Sequence, residues 1–250
     1  MEYKSFPNKY FNLNQDNKTK SDLSLSNIDS RLSPYRLRYL KDFIMNIPKN
    51  GKVLDLGSGT GKASVIIKVY RPDVSVYATD ISDLGQYFPD DIFFKQGSAE
   101  NLKNLYEEDF FDGVVSLHLI EHLVFPMDMM GGVRHILKRG GKIFIETPNW
   151  TRVFVPFSYM FFYNDYTHIR PYSIFAITKL FIEFQIKPVI MKTVRTNSWF
   201  SKTNKSLKKI EKFVSSAVIA NESRGFLMRL IGKIINPMIR DVIIAIGEKQ

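Results

Sequence analysis

The sequence contains no cysteine, which excludes disulfides, thiolate metal sites and a cysteine nucleophile. It has no run of about eighteen uncharged apolar residues, the length a membrane-spanning helix needs. Its opening residues, MEYKSFPNKYFNLNQ, lack the apolar segment of a secretory signal, so a cytoplasmic setting is expected. Phosphate-loop chemistry is excluded too, because Gly61-Lys62 is followed by Ala63 where Ser or Thr is required. Histidine is scarce: only His118, His122, His135 and His168 are present. Acidic residues are outnumbered, 25 against 35 Lys and Arg, and the net charge of +10 calls for an anionic partner or a basic solvated surface.

What is present centres on Lys52 to Gly61, KVLDLGSGTG. Val53, Leu54 and Leu56 fit a buried parallel strand, and the glycines at 57, 59 and 61 let the chain turn sharply into a helix. Without Cβ atoms these glycines allow a ligand to lie against the main chain, while the first N–H groups of the helix present a partly positive surface. The spacing is G-x-G-x-G, which departs from the G-x-G-x-x-G of dinucleotide sites. A second strand, Val74 to Ala78, runs into Thr79-Asp80. Asp80 lies nineteen residues after Gly61, where α/β folds place an acid to receive ribose hydroxyls.

DLGSGTG followed by TDIS resembles the first two motifs of class I S-adenosylmethionine-dependent methyltransferases. That resemblance implies that Asp55, Gly57, Ser58, Gly59 and Gly61 line the methionine part of S-adenosyl-L-methionine and that Asp80 and Ile81 hold its nucleoside. It further implies contacts from Ser98, Ala99 and Leu117. Relatives often carry Asp where Ser98 stands; a serine accepts a hydrogen bond less strongly.

Further strands are expected at Ile92 to Lys95, Phe111 to Ser116, Lys142 to Glu146 and Val189 to Val194, with helices at Pro34 to Ile47, Lys62 to Val69, Met127 to Leu137 and Ser173 to Phe184. This alternation predicts an α/β, Rossmann-like, doubly wound parallel sheet. The resemblance implies seven strands, the last antiparallel and formed by Arg240 to Gly247, with helical additions. The expected organisation is an N-terminal arm or lid over 1–33, a core over 34–197, a basic helical insertion over 198–238 and the last core strand over 239–250. Trp150 to Tyr163 forms an aromatic insert, a cap on the cleft or an acceptor surface.

Between Ser198 and Arg240 nine Lys or Arg face two Glu, so most of the net charge sits in one segment. Leu227, Leu230, Ile231, Ile234 and Met238 share one helical face there, and Arg229, Lys233 and Arg240 another. Such a helix either covers its own core or lies peripherally on an anionic membrane through 226–240.

Methyl transfer to a neutral oxygen needs alignment and removal of a proton. His168, in NDYTHIRPYS, is the candidate base, with Asp165 as its carboxylate partner. The stretch resembles type 11 and type 23 methyltransferases, in which Pro-Asn after the fifth strand is followed by a histidine and a helix. His118, Glu121 and His122 form H-x-x-E-H, outwardly a zinc-protease motif, but they follow a strand rather than sit on a long helix. Similarity to ubiquinone-pathway O-methyltransferases is closer; their E-x-x-E-H set is implicated in divalent metal binding, and His118 replaces its first Glu. No metal is assigned, and Glu121 and His122 are expected to shape the pocket. His135, in VRHILKRG, is expected at a helix end.

The leading expectation is methyl transfer to oxygen of a small molecule, saccharide or lipid-linked acceptor. A nucleic-acid methyltransferase is the alternative that the charge suggests, but Ser116-Leu117-His118-Leu119 is unlike the Asn/Asp-Pro-Pro-aromatic motif of base amino-methylating enzymes, and cysteine-dependent carbon methylation is excluded. A non-catalytic module that binds the same cofactor is the third.

Overall fold

The computed structural model describes residues 34–149, 162, 165–194 and 242–250, the first three without side-chain surroundings. Expectations for the arm over 1–33, nearly all of the aromatic insert and the basic insertion lie outside these residues. The strands are β1 (Lys52–Leu56), β2 (Ser75–Asp80), β3 (Ile92–Gln96), β4 (Phe111–Leu117), β5 (Leu137–Pro148), β6 (Ile186–Val194) and β7 (Val242–Lys249). The helices are α1 (Pro34–Met45), α2 (Lys62–Tyr70), the single turn α3 (Leu102–Leu105), α4 (Pro126–Ile136) and α5 (Ile174–Glu183). The sheet has the order β3-β2-β1-β4-β5-β7-β6. β7 runs antiparallel to both β5 and β6, and the other six strands are parallel.

Alternation along the central strands explains the layering. Val53, Val115, Phe144, Ile244 and Ile246 join Phe43, Ile44, Ile66 and Ile67 of α1 and α2 on one face. Their strand neighbours Leu54, Val114, Ile143, Ile145, Ile243 and Ala245 join Met129, Val133, Ile136, Ile177 and Phe181 of α4 and α5 on the other. A strand buried on both faces carries few polar side chains, as the runs VLDL and VIIAI show. Each such Leu, Ile or Phe contributes roughly 1.5–3 kcal/mol on full burial.

Two strands begin earlier than the sequence suggests. β5 starts at Leu137, which pairs with Phe111 across a bulge before Gly113, while Lys138 is held by Asp112 at 2.8 Å. The helix before it accordingly stops at Ile136, not Leu137. β6 starts at Ile186, with a register shift between Pro188 and Ile190, as an edge strand tolerates. α1 ends at Met45, two residues short of expectation, where Arg71 donates to the carbonyls of Ile44, Ile47 and Pro48. β7 extends to Lys249, whose ammonium reaches Asp109 and the Leu137 carbonyl, both at 2.6 Å. No helix among the described residues is long and apolar enough to cross a membrane.

Candidate functional site

Gly57, Gly59 and Gly61 follow β1 with φ of 70°, 50° and 82°, the left-handed region that favours glycine. The turn is pinned to β2: the N–H groups of Gly57 and Ser58 donate to the Thr79 carbonyl at 2.8 and 3.1 Å, and Gly59 N–H donates to Asp80 Oδ2 at 2.9 Å. A Cβ at Gly57 would lie 2.7 Å from Leu119 Cδ1, whereas one at Gly59 would meet nothing within 4 Å among the described residues. The middle glycine thus faces open space on a loop held by its neighbours, a cradle suited to a ligand that touches main chain.

Asp55 sits directly beneath. It is 2 % exposed, and its Oδ2 accepts from both the N–H and the hydroxyl of Ser64. Gly61, at the start of α2, has no side chain to cap the helix, and Asp55 supplies that acceptor from the strand. Burial pushes the Asp55 carboxyl up to about 6; the Ser64 hydrogen bonds oppose this and the charge of Asp80 adds to it. Sequence reading missed Ser64, whose only signal is its position in the first turn after the glycines.

Asp80 ends β2, with Oδ1 accepting from Ser82 N–H at 3.0 Å. Ile81 beside it is 66 % exposed, an apolar side chain left open at the rim. Ser98 follows β3 and accepts from Glu100 N–H at 3.1 Å; Ala99 is buried next to it. Leu117, half-buried, ends β4. Strands β3, β2, β1 and β4 are consecutive in the sheet, so these residues gather along one stretch of its carboxyl rim. An acid, an apolar flank and a main-chain cradle in that order fit a nucleoside with a polar tail.

A second group adjoins the first through Leu119, the side chain against Gly57. His118 takes a left-handed backbone conformation, φ 52°, and its N–H donates to the Glu146 carbonyl at 2.8 Å. Its ring, 39 % exposed, lies between two carboxylates: Nδ1 is 3.2 Å from Glu121 Oε1 and Nε2 2.8 Å from Glu146 Oε1. Burial pulls its pKa down, but the hydrogen bonds that its ring donates to Glu121 and Glu146 outweigh this and push it up to about 9. Glu121 is fully buried, and its Oε2 accepts from the Thr147 hydroxyl at 2.9 Å. The Glu121 carbonyl accepts from Ile169 and Arg170 N–H, which ties the loop bearing His168 to the end of β4.

His168 Nδ1 meets the Phe162 carbonyl at 2.7 Å, which fixes its tautomer and leaves Nε2 as the basic nitrogen. Asp165 Oδ2 stands 3.7 Å from Nε2, beyond hydrogen-bond length, while Oδ1 accepts from the N–H and hydroxyl of Thr167. Burial raises the Asp165 carboxyl, but those bonds from Thr167 win and hold it below the usual range. His122 Nδ1 faces the Thr167 hydroxyl at 2.9 Å, and its ring centroid is 4.7 Å from that of His168. The H-x-x-E-H residues therefore diverge, His118 toward Glu146 and His122 toward Thr167. Among the described residues one ligand atom each of Glu121, His122 and His168 lie within 4.8 Å of one another. His135 is in the last turn of α4, at a helix end as expected. Glu146, Thr147 and Thr167 were not foreseen, since their partners are distant in sequence.

A family model described as a methyltransferase domain, Methyltransf_23, matches residues 26–189. The chain is 28 % identical over 148 residues to the mitochondrial ubiquinone biosynthesis O-methyltransferase of Dictyostelium discoideum, covering 48 % of this chain and 46 % of that protein. It is 27 % identical over 136 residues to the ubiquinone biosynthesis O-methyltransferase of Nitrosococcus oceani, covering 52 % and 55 %. The chain spans about half the length of the curated relatives it matches. A solved SAM-dependent methyltransferase from Archaeoglobus fulgidus shares the fold, with a TM-score of 0.63 and 18 % identity over 86 % of this chain and 93 % of that one.

Proposed function

This chain belongs to the methyltransferase-domain family of S-adenosylmethionine-dependent enzymes, and from that premise we propose that it transfers a methyl group to an oxygen of a small-molecule, saccharide or lipid-linked acceptor. The observation that carries the donor half is Gly59, whose open side faces space clear of the described residues while Asp80 holds its main-chain N–H. S-adenosylmethionine, when bound, supplies a methyl group on a sulfonium that departs as a neutral thioether. Asp80 would receive the ribose hydroxyls, Ile81, Ser98 and Ala99 would hold the base, and Gly57 to Gly61 with Leu117 would hold the amino-acid part. Asp55 braces that loop from below.

On the acceptor side, His168 Nε2 takes the proton of the acceptor hydroxyl as the oxygen bonds to the methyl carbon, and Asp165 lies close enough to stabilise the imidazolium that results. The names of the curated relatives make a ubiquinone precursor the first acceptor to try. Peripheral contact with an anionic membrane through 226–240 fits a lipid-linked acceptor. Its support is the basic amphipathic pattern of that stretch in the sequence; the described residues on either side of 195–241, Val194 and Val242, are register partners at the rim that carries the site.

The test is calorimetry with S-adenosylmethionine and its demethylated product, followed by transfer of labelled methyl to fractionated cell extract and to ubiquinone precursors. Saturable binding and label in a small-molecule, glycan or lipid pool are expected. Label in nucleic acid, or binding with no labelled acceptor in any pool, would overturn the acceptor assignment in favour of RNA methylation or a cofactor-binding module.

A further inference from the structure

A metal ligand must offer a lone pair, and His118 offers none. Both of its ring nitrogens face carboxylate oxygens, Glu121 Oε1 and Glu146 Oε1. A neutral imidazole carries one N–H and one lone pair, and a lone pair aimed at a carboxylate is repelled; with both carboxyls ionised, only the doubly protonated ring satisfies both contacts. A cation between the two carboxylates offsets their burial, Glu121 being fully buried and Glu146 2 % exposed. A buried carboxylate without a cation or hydrogen bonds is costly, and removing one partner of such a set strands the rest. The divalent ion that relatives of the ubiquinone type imply at this stretch therefore finds, at position 118, two donors where it requires an acceptor.

We propose that the His118 imidazolium is the resident cation of this site: it clamps Glu121 and Glu146, ties the end of β4 to the end of β5, and stands in place of a divalent metal ion. His118 is thus a positioning residue. Glu121 transmits its effect, since the Glu121 carbonyl holds Ile169 and Arg170 and so the loop that bears His168. The proposal rests on the proposed function only for what that loop serves; the clamp itself does not depend on the acceptor. Its competitor is an ion held by Glu121, His122 and His168, whose Nδ1 atoms face Thr167 and Phe162 and leave both Nε2 atoms available.

The experiment uses the tag-free full chain. Nitrogen NMR of the histidine rings near pH 7.5 is expected to show His118 protonated at both nitrogens, and calorimetry with Mg²⁺, Mn²⁺ and Zn²⁺ to show no saturable binding. In His118→Glu, which removes the internal cation and restores an acidic residue, Mn²⁺ is expected to bind at least about tenfold more tightly. One unprotonated His118 nitrogen, or stoichiometric metal uptake by the wild type with shifts of the His122 and His168 resonances, would overturn the proposal. If His118→Glu fails to fold, the two wild-type measurements decide alone. None requires turnover, so a wrong acceptor and a wrong cation are told apart.

Discussion

Asp55 Oδ2 accepts the N–H of Ser64 at 2.8 Å and its hydroxyl at 2.7 Å, so one carboxylate near the end of the first strand caps the following helix. The same burial that makes this contact tight favours the protonated acid, with a pKa of about 6 against an ordinary 3.8. The folded state then binds a proton more tightly than the unfolded chain. Its stabilising effect is fully present below pH 3.8 and is lost as pH rises through about 6, a change of order 2–3 kcal/mol. Denaturant titrations from pH 4 to 7 are expected to show that decline, and Asp55→Asn, which keeps an acceptor for Ser64, to flatten it. An unchanged slope in the variant would assign the effect elsewhere.

Gly57 and Gly59 are expected to separate folding from donor binding. Alanine at 57 meets Leu119 as well as left-handed strain, and should cost about 2–4 kcal/mol in thermal or denaturant unfolding. Alanine at 59 meets nothing within 4 Å among the described residues and should cost only about 1–2 kcal/mol, yet weaken S-adenosylmethionine binding by more than about tenfold in calorimetry. Equal affinities for Gly59→Ala and wild type would mean that the ligand does not approach this turn.

Asp80→Ala removes the anchor of Gly59 N–H and the carboxylate proposed to receive the ribose. Hydrogen bonds to charged groups are worth roughly 1.5–3 kcal/mol, so cofactor affinity should fall about 10- to 100-fold. Asp80→Asn should recover part of it, because the amide oxygen can still accept from Gly59. Full affinity in Asp80→Ala, measured at equilibrium, would remove this residue from the donor site.

His168→Ala should slow single-turnover methyl transfer by roughly a hundredfold or more while leaving cofactor affinity within about twofold of wild type. The ring stands on the loop tied to Glu121, away from the Asp80 side of the rim. Asp165→Asn should act more weakly, given the 3.7 Å separation. A variant at 168 that turns over at the normal rate would hand the proton to another group.

The strands and the turn after β1 were largely legible in the sequence because their determinants are local: apolar alternation marks the strands, and three closely spaced glycines followed by an acid at the next strand end mark the turn. The contacts that join the ends of β4 and β5 were not. His118 meets Glu146, and Glu121 meets Thr147, across the gap between β4 and β5, and nothing in the spacing H-x-x-E-H announces that its histidines part company. Expected strand limits failed where charge and proline look like loop: Lys138 and Arg139 lie within β5 because Asp112 receives the lysine beside a bulge, and Pro188 is tolerated because β6 is an edge.

Register between Val194 and Val242 carries an evolutionary corollary. Two strand ends already hydrogen-bonded to each other form a doorway whose closure entropy is met by the sheet, so the length of chain threaded between them changes the free energy of folding only slowly. Differences in the length of that stretch among relatives are therefore expected to leave the sheet beneath the glycine turn undisturbed.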